Sequence, residues 1–103
     1  MAITSYALTT TPTAIFTSSG TSVITAMYYC NIDPSTANAF SVWLVQNGGV
    51  HSNTNVIYNN VAVVAKDTYV VDREKIVLEN GDSIYAYGNV NNVISATISS
   101  FAQ

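Results

Sequence analysis

An all-β chain, folded as a single antiparallel β-sandwich of jelly-roll-like form, is what this sequence predicts, and three observations carry the prediction. Short runs of Val, Ile, Tyr, Phe and Thr recur along the chain, each bounded by Gly, Pro, Asn, Asp or Ser, the punctuation of strands that alternate with turns. Residues 76–87 read IVLENGDSIYAY, two apolar stretches closed around Asn80-Gly81. That pair suits the positive φ values of a tight turn between twisted strands, so a β-hairpin is expected there. Nowhere does a stretch of helical length carry an apolar stripe at i, i+3, i+4 and i+7. The 103 residues make room for one core, which would bury roughly two-thirds of the surface of the unfolded chain.

Taken in order, residues 1–13 (MAITSYALTTTPT) are Thr-rich and end at Pro12, which reads as an N-terminal arm available to pair with a neighbouring chain. The sandwich domain then occupies residues 14–103. Strands are expected at 14–17, 22–32, 39–46, 55–58, 61–64, 68–71, 75–78, 83–87 and 93–101. Between them lie Ser18-Ser19-Gly20, Asp33-Pro34-Ser35-Thr36, Asn47-Gly48-Gly49, Asn59-Asn60, Ala65-Lys66-Asp67, Asp72-Arg73-Glu74 and the Asn-rich 89–92. Each contains residues that favour turns through φ preference or through side-chain bonds to the backbone. A short helix over 34–39 is compatible with the pattern.

Alternation assigns the faces. In 22–32, Ile24, Ala26, Tyr28, Cys30 and Ile32 share one side and are expected in the core, leaving Val23, Thr25, Met27, Tyr29 and Asn31 opposite. Phe40, Val42 and Leu44 oppose Ser41, Trp43 and Val45. Ile94, Ala96 and Ile98 oppose Ser95, Thr97 and Ser99, a clean half-buried strand. Met27, Tyr29, Trp43, Val45, Tyr85 and Tyr87 then fall together on the side away from the core, an apolar and aromatic patch expected to be a subunit interface. A register slip of one residue, or strands buried on both faces, would send the same side chains inward.

Charged residues are only 9% of the chain, against about one-quarter in an ordinary domain, so a free monomer has little electrostatic protection against edge-to-edge association. Assembly follows as an expectation. Net charge is −3, with Lys66, Arg73 and Lys75 the only strong bases, too few to neutralise a row of phosphates, so no nucleic-acid partner is expected. No apolar run approaches the roughly 20 residues of a membrane helix. The N-terminus lacks a signal-peptide pattern, and cytosolic synthesis is expected.

Nothing in the residues announces catalysis or a cofactor. The single histidine, His51, sits in a polar loop with no carboxylate nearby in sequence to orient it as a base. Cys30, the only cysteine, is expected to be a buried thiol. Asp67, Asp72, Glu74, Glu79 and Asp82 gather in one region but match no calcium loop. Asp67 and Asp82 are expected to accept backbone N–H bonds in turns.

Residues 23–31 (VITAMYYCN), 55–71 (NVIYNNVAVVAKDTYVV) and 76–86 (IVLENGDSIYA) together resemble small β-sandwich virion proteins of tailed bacteriophages. The Leu78-Glu79-Asn80-Gly81-Asp82 turn is also similar to one in tumour-necrosis-factor and complement-type jelly rolls, which trimerise. These resemblances imply a non-enzymatic virion structural protein, foremost a capsid decoration or cement protein made in the host cytoplasm. It would be a homo-oligomer, a trimer first, that binds phage coat protein or another virion protein. A neck, tail or fibre-attachment protein is the alternative. Seven tyrosines, Trp43 and the many Asn residues also motivate a glycan or host-surface binding module.

Overall fold

The computed structural model describes residues 2–72 and 75–102. It contains the strands β1 (Ala2–Ala7), β2 (Thr13–Thr17), β3 (Ser22–Asn31), β4 (Asn38–Val45), β5 (Val56–Val63), β6 (Thr68–Val71), β7 (Ile76–Leu78), β8 (Ser83–Gly88) and β9 (Ile94–Ala102). One sheet runs β1-β9-β3-β6, with β7 continuing the β6 position along β3, and the other runs β2-β8-β4-β5. First pairs with last, second with second-last, β3 with β6 and β7, and β4 with β5, all antiparallel. That nested pairing is a hairpin rolled into two sheets, a jelly roll, and the expected all-β sandwich is borne out.

The core lies between the sheets. Ile24, Met27, Tyr29, Ile94 and Ile98 from the five-stranded sheet meet Phe40, Val42, Ile84 and Ala86 from the four-stranded one. Its centre is aromatic: Tyr29 of β3 stacks on Phe40 of β4 with ring centroids 4.3 Å apart, and Tyr69 lies tilted at 5.5 Å from Phe40. Burial pushes the Tyr29 phenol pKa well above its usual value, with the neighbouring Tyr58 adding to the shift. Asn31, also fully buried, ties the sheets together. Its amide donates to the carbonyls of Thr36 and Val63 at 3.0 and 2.9 Å. Its oxygen accepts from the Asp33 N–H and from Asn38 Nδ2 at 3.0 and 3.1 Å, so the hydrogen-bonding capacity of the amide is used in full.

Several expectations are corrected. The turn at 79–82 forms, with the Asp82 N–H bonded to the Glu79 carbonyl at 3.0 Å, but it does not make a hairpin. β7 pairs with β3, whereas β8 pairs with β2 and β4, so the turn carries the chain from one sheet to the other. Gly81 has φ +86° while Asn80 keeps a negative φ. A hairpin turn of the kind expected needs positive φ at both central residues, and a turn with only the second positive splays its strands.

The N-terminal segment is not a free arm. β1 pairs with β9 of its own chain along its length, and the fully buried Leu8 is fixed by its N–H to the Ile94 carbonyl and its carbonyl to the Asn92 N–H, both 2.9 Å. Met1 lies outside the described residues. Residues 34 and 35 form a bend rather than a helix: the Asp33 carboxylate accepts the N–H groups of Ser35 and Thr36 at 3.0 and 3.2 Å, but the Thr36 carbonyl is taken by the Asn31 and Asn38 amides and the chain enters β4 at Asn38. The bonds to the carboxylate, Ser35 first, hold the Asp33 pKa below its ordinary value. Asn59-Asn60 does not separate two strands either, since β5 runs through both.

Candidate functional site

The outward faces of the two sheets carry the exposed and half-buried aromatic and apolar side chains of this chain. The face assignment within β3 turns on a bulge. Ile24 opposes Ser100 and Ala26 opposes Ser99, leaving Thr25 as an extra residue, whose hydroxyl bonds the Ser99 carbonyl at 3.0 Å. One extra residue reverses the alternation beyond it. Met27, Tyr29 and Asn31 therefore enter the core at 0% exposure, whereas Tyr28 and Ile32 are 40% and 60% exposed. Ala26 and Cys30, also expected inside, are half-buried. Of the five residues assigned to the core in this strand, Ile24 alone is deeply buried.

The expected interface of Met27, Tyr29, Trp43, Val45, Tyr85 and Tyr87 accordingly divides. Met27 and Tyr29 are enclosed by their own subunit, and Val45, on the same side of β4 as Trp43, is buried beneath the loop that carries Gly49. Trp43, Tyr85 and Tyr87 remain half-buried on the outside of the four-stranded sheet. Trp43 opposes Tyr85 in register, and Ser41 opposes Tyr87. His51, exposed as expected, packs its ring 5.3 Å from Trp43 and 5.6 Å from Tyr85. Beside them a shallow open trough of about 290 Å³ is lined by Pro12, Ser41, Trp43, Asn59, Asn60 and Tyr87.

The outer face of the five-stranded sheet is more apolar. Val77, Val23 and Phe101 are register partners across β7, β3 and β9, and Val70, Tyr28, Thr97 and Ser5 are partners across β6, β3, β9 and β1. Register partners share a face. Ile3 adds to it at 72% exposure, with Val77 at 60%, Val70 at 46% and Phe101 at 38%. The rest of the face is small and neutral, including Ser5, Thr68, Ser95, Thr97 and Ser99, and no charged side chain projects from these strands. Sequence reasoning missed this surface because the bulge was not anticipated. The signal for it was the contiguous run of apolar residues on both sides of 22–32, which a half-exposed strand does not need.

Among the described residues, no three His, Cys, Asp or Glu side chains are grouped so as to hold a metal ion. The carboxylates instead organise turns. Asp82 accepts the N–H groups of Asn47 and Glu79, each at 3.0 Å, and Asp67 accepts that of Thr68 at 2.8 Å. Glu74 and Arg73 of the acidic region lie outside the described residues. Lys75 donates to the carbonyls of Thr25 and Asp72 at 3.3 and 3.1 Å. No family model, curated protein or solved structure matches this chain.

Proposed function

We propose that this chain is a non-enzymatic structural subunit of a tailed-phage virion, foremost a head decoration or cement protein, and that it works as a homo-oligomer closed through the outer face of its five-stranded sheet. The observation that carries the reading is that face, whose strands bear no charged side chain and which Lys75 borders at Thr25, with Ile3, Val77, Val70, Tyr28 and Phe101 all more than a third exposed. Large contiguous apolar patches on small domains mark contacts. Four strands about 4.8 Å apart and roughly 30 Å long offer on the order of 600 Å², and with its rim such a face approaches the roughly 800 Å² per partner of a standard interface. The hydroxyls between the apolar rows supply hydrogen bonds without the desolvation cost of charges. The partner is therefore another copy of the chain in a closed symmetric oligomer: this face meeting itself closes a two-fold dimer, whereas the trimer expected from the resemblance requires it to meet a second patch of its neighbour.

The poverty of charge and the three segments that resemble phage virion sandwiches support the virion assignment. A subunit that binds only the assembled lattice stabilises it by mass action, and an oligomer with several contacts multiplies a modest single-site affinity. Sedimentation analysis tests the interface: the wild type should run as an oligomer and Val77→Glu as a folded monomer, while a monomeric wild type rejects it. Electron cryo-microscopy of particles containing the chain tests the role. Many copies over the shell establish decoration, a few at a vertex or along a tail transfer the assignment to neck, tail or fibre, and absence from particles rejects the virion reading.

A further inference from the structure

The opposite sheet carries a feature that self-assembly does not use. We infer that the trough on the four-stranded sheet is a binding site for a neutral carbohydrate, with Trp43 and Tyr87 as the apolar platform and the side chains of Asn59 and Asn60 as the polar contacts. Four observations lead there.

The first is a break in strand alternation. Consecutive side chains on a strand point to opposite faces, yet Asn59 and Asn60 line the same trough. The cause is local: Asn60 takes φ 51°, its N–H leaves the ladder to bond the Ser41 hydroxyl at 2.9 Å, and the β4–β5 register shifts between Phe40 and Val42. Left-handed conformation in a non-glycine residue inside a strand is costly, and such bulges concentrate where a side chain must be re-aimed. The second is that Asn59 and Asn60, each with a side-chain carboxamide, are both exposed, while the neighbouring Ser41 hydroxyl is engaged by the Asn60 N–H. Each offers a donor and an acceptor to a ligand hydroxyl.

The third is the pairing of these amides with aromatic rings that are half open. A sugar ring has an apolar C–H face and a rim of hydroxyls, and it needs both surfaces at once. Trp43 and Tyr87 suit the face, since their rings are apolar with one polar tip each, and the amides suit the rim. Trp43 packs against the His51 ring, which in turn stacks on Tyr85, and such contacts reduce the side-chain freedom that is lost on binding. The fourth is size and charge. A volume of about 290 Å³ is at the small end of ligand clefts, and its lining contains no ionisable acid or base other than the Tyr87 phenol. A phosphate or a carboxylate would find no countercharge here.

Trp43 is the single tryptophan of the chain, so its emission reports on the site directly. The experiment is a fluorescence titration, with parallel amide-resolved NMR, using glucose, galactose, mannose, N-acetylglucosamine and their disaccharides, with glucuronate and glucose 6-phosphate as acidic counterparts. At least one neutral sugar should shift Trp43 emission and the Asn59 and Asn60 amides in a saturable way, and its acidic counterpart should bind no tighter. Trp43→Ala should weaken that binding at least tenfold. Asn60→Gly, which retains the left-handed backbone and the bond to Ser41, should weaken it severalfold with an unchanged melting temperature. Saturation absent for all neutral sugars up to about 100 mM, a concentration that detects even millimolar affinity, would overturn the assignment. Binding unaffected by both Asn59→Ala and Asn60→Gly would do the same. Val77→Glu, on the other sheet, should leave sugar binding intact, so a failure of self-assembly and a failure of this site are read separately.

Discussion

Replacing Asn31 tests the account of what joins the two sheets. In Asn31→Ala, Asn38 Nδ2 keeps the Thr36 carbonyl at 3.2 Å, but the Asp33 N–H and the Val63 carbonyl lose the side chain that ties them. Each group left without a partner in the interior costs about 1–2 kcal/mol, and with the small void the total is about 3 kcal/mol, a large share of the ~5–15 kcal/mol that holds a domain together. In a domain of this size that lowers the melting temperature by about 15 °C. Asn31→Asp should be worse at neutral pH, because a buried carboxylate then faces the Thr36 and Val63 carbonyls with no proton to donate. Burial and those carbonyls raise its folded-state pKa above the unfolded value of about 3.9. The variant is therefore least destabilised below that value, where both states are protonated. It loses stability as pH rises from there to the raised folded pKa, by up to about 1.4 kcal/mol per unit. Urea titrations of both variants from pH 3 to 8, followed by Trp43 emission, measure the difference. A loss below about 1 kcal/mol for the alanine variant, or an aspartate variant whose gap from it does not widen with pH, would refute the reasoning.

The remaining predictions concern turns. Gly81→Ala should cost about 1 kcal/mol, the left-handed penalty at φ +86°, since the added Cβ meets only the carboxamide end of the exposed Asn47 side chain, which can swing aside. Gly20→Ala, with φ +74° and nothing within 4 Å, should show the same backbone penalty, and a much larger loss for Gly81→Ala in thermal melts would contradict a movable Asn47. Lys66→Gly should raise stability by roughly 0.5 kcal/mol, because Lys66 holds φ 66° in the turn where the Asp67 N–H bonds the Val64 carbonyl at 3.0 Å, a conformation that glycine adopts without a Cβ clash. Asp33 has its pKa lowered from 3.8 by the N–H groups of Ser35 and then Thr36. Its contribution is present above that value and lost as pH falls through the depressed folded pKa, so melting curves of Asp33→Asn should be flatter than wild type below about pH 4.

Strand positions were legible in the sequence because they depend on local matters: β-branched and aromatic runs, and turn residues whose φ preferences act within four positions. The stretch 68–71 was read to the residue, and the acceptor roles of Asp67 and Asp82 followed from their neighbours. Trp43, Tyr85 and Tyr87 were placed on an outer face because β4 and β8 alternate without interruption there. Which strands pair, and which face is inward along β3, were decided only in three dimensions. Thr25 bulges because the β9 strand opposite it sets the count. β1 is held by a strand more than eighty residues away. The 79–82 turn joins sheets rather than neighbours because β3 and β4 claim the strands on either side of it. An extra residue in one strand changes no local preference, yet it reverses every side chain beyond it, and that reversal put Met27 and Tyr29 in the core and Tyr28 on the surface.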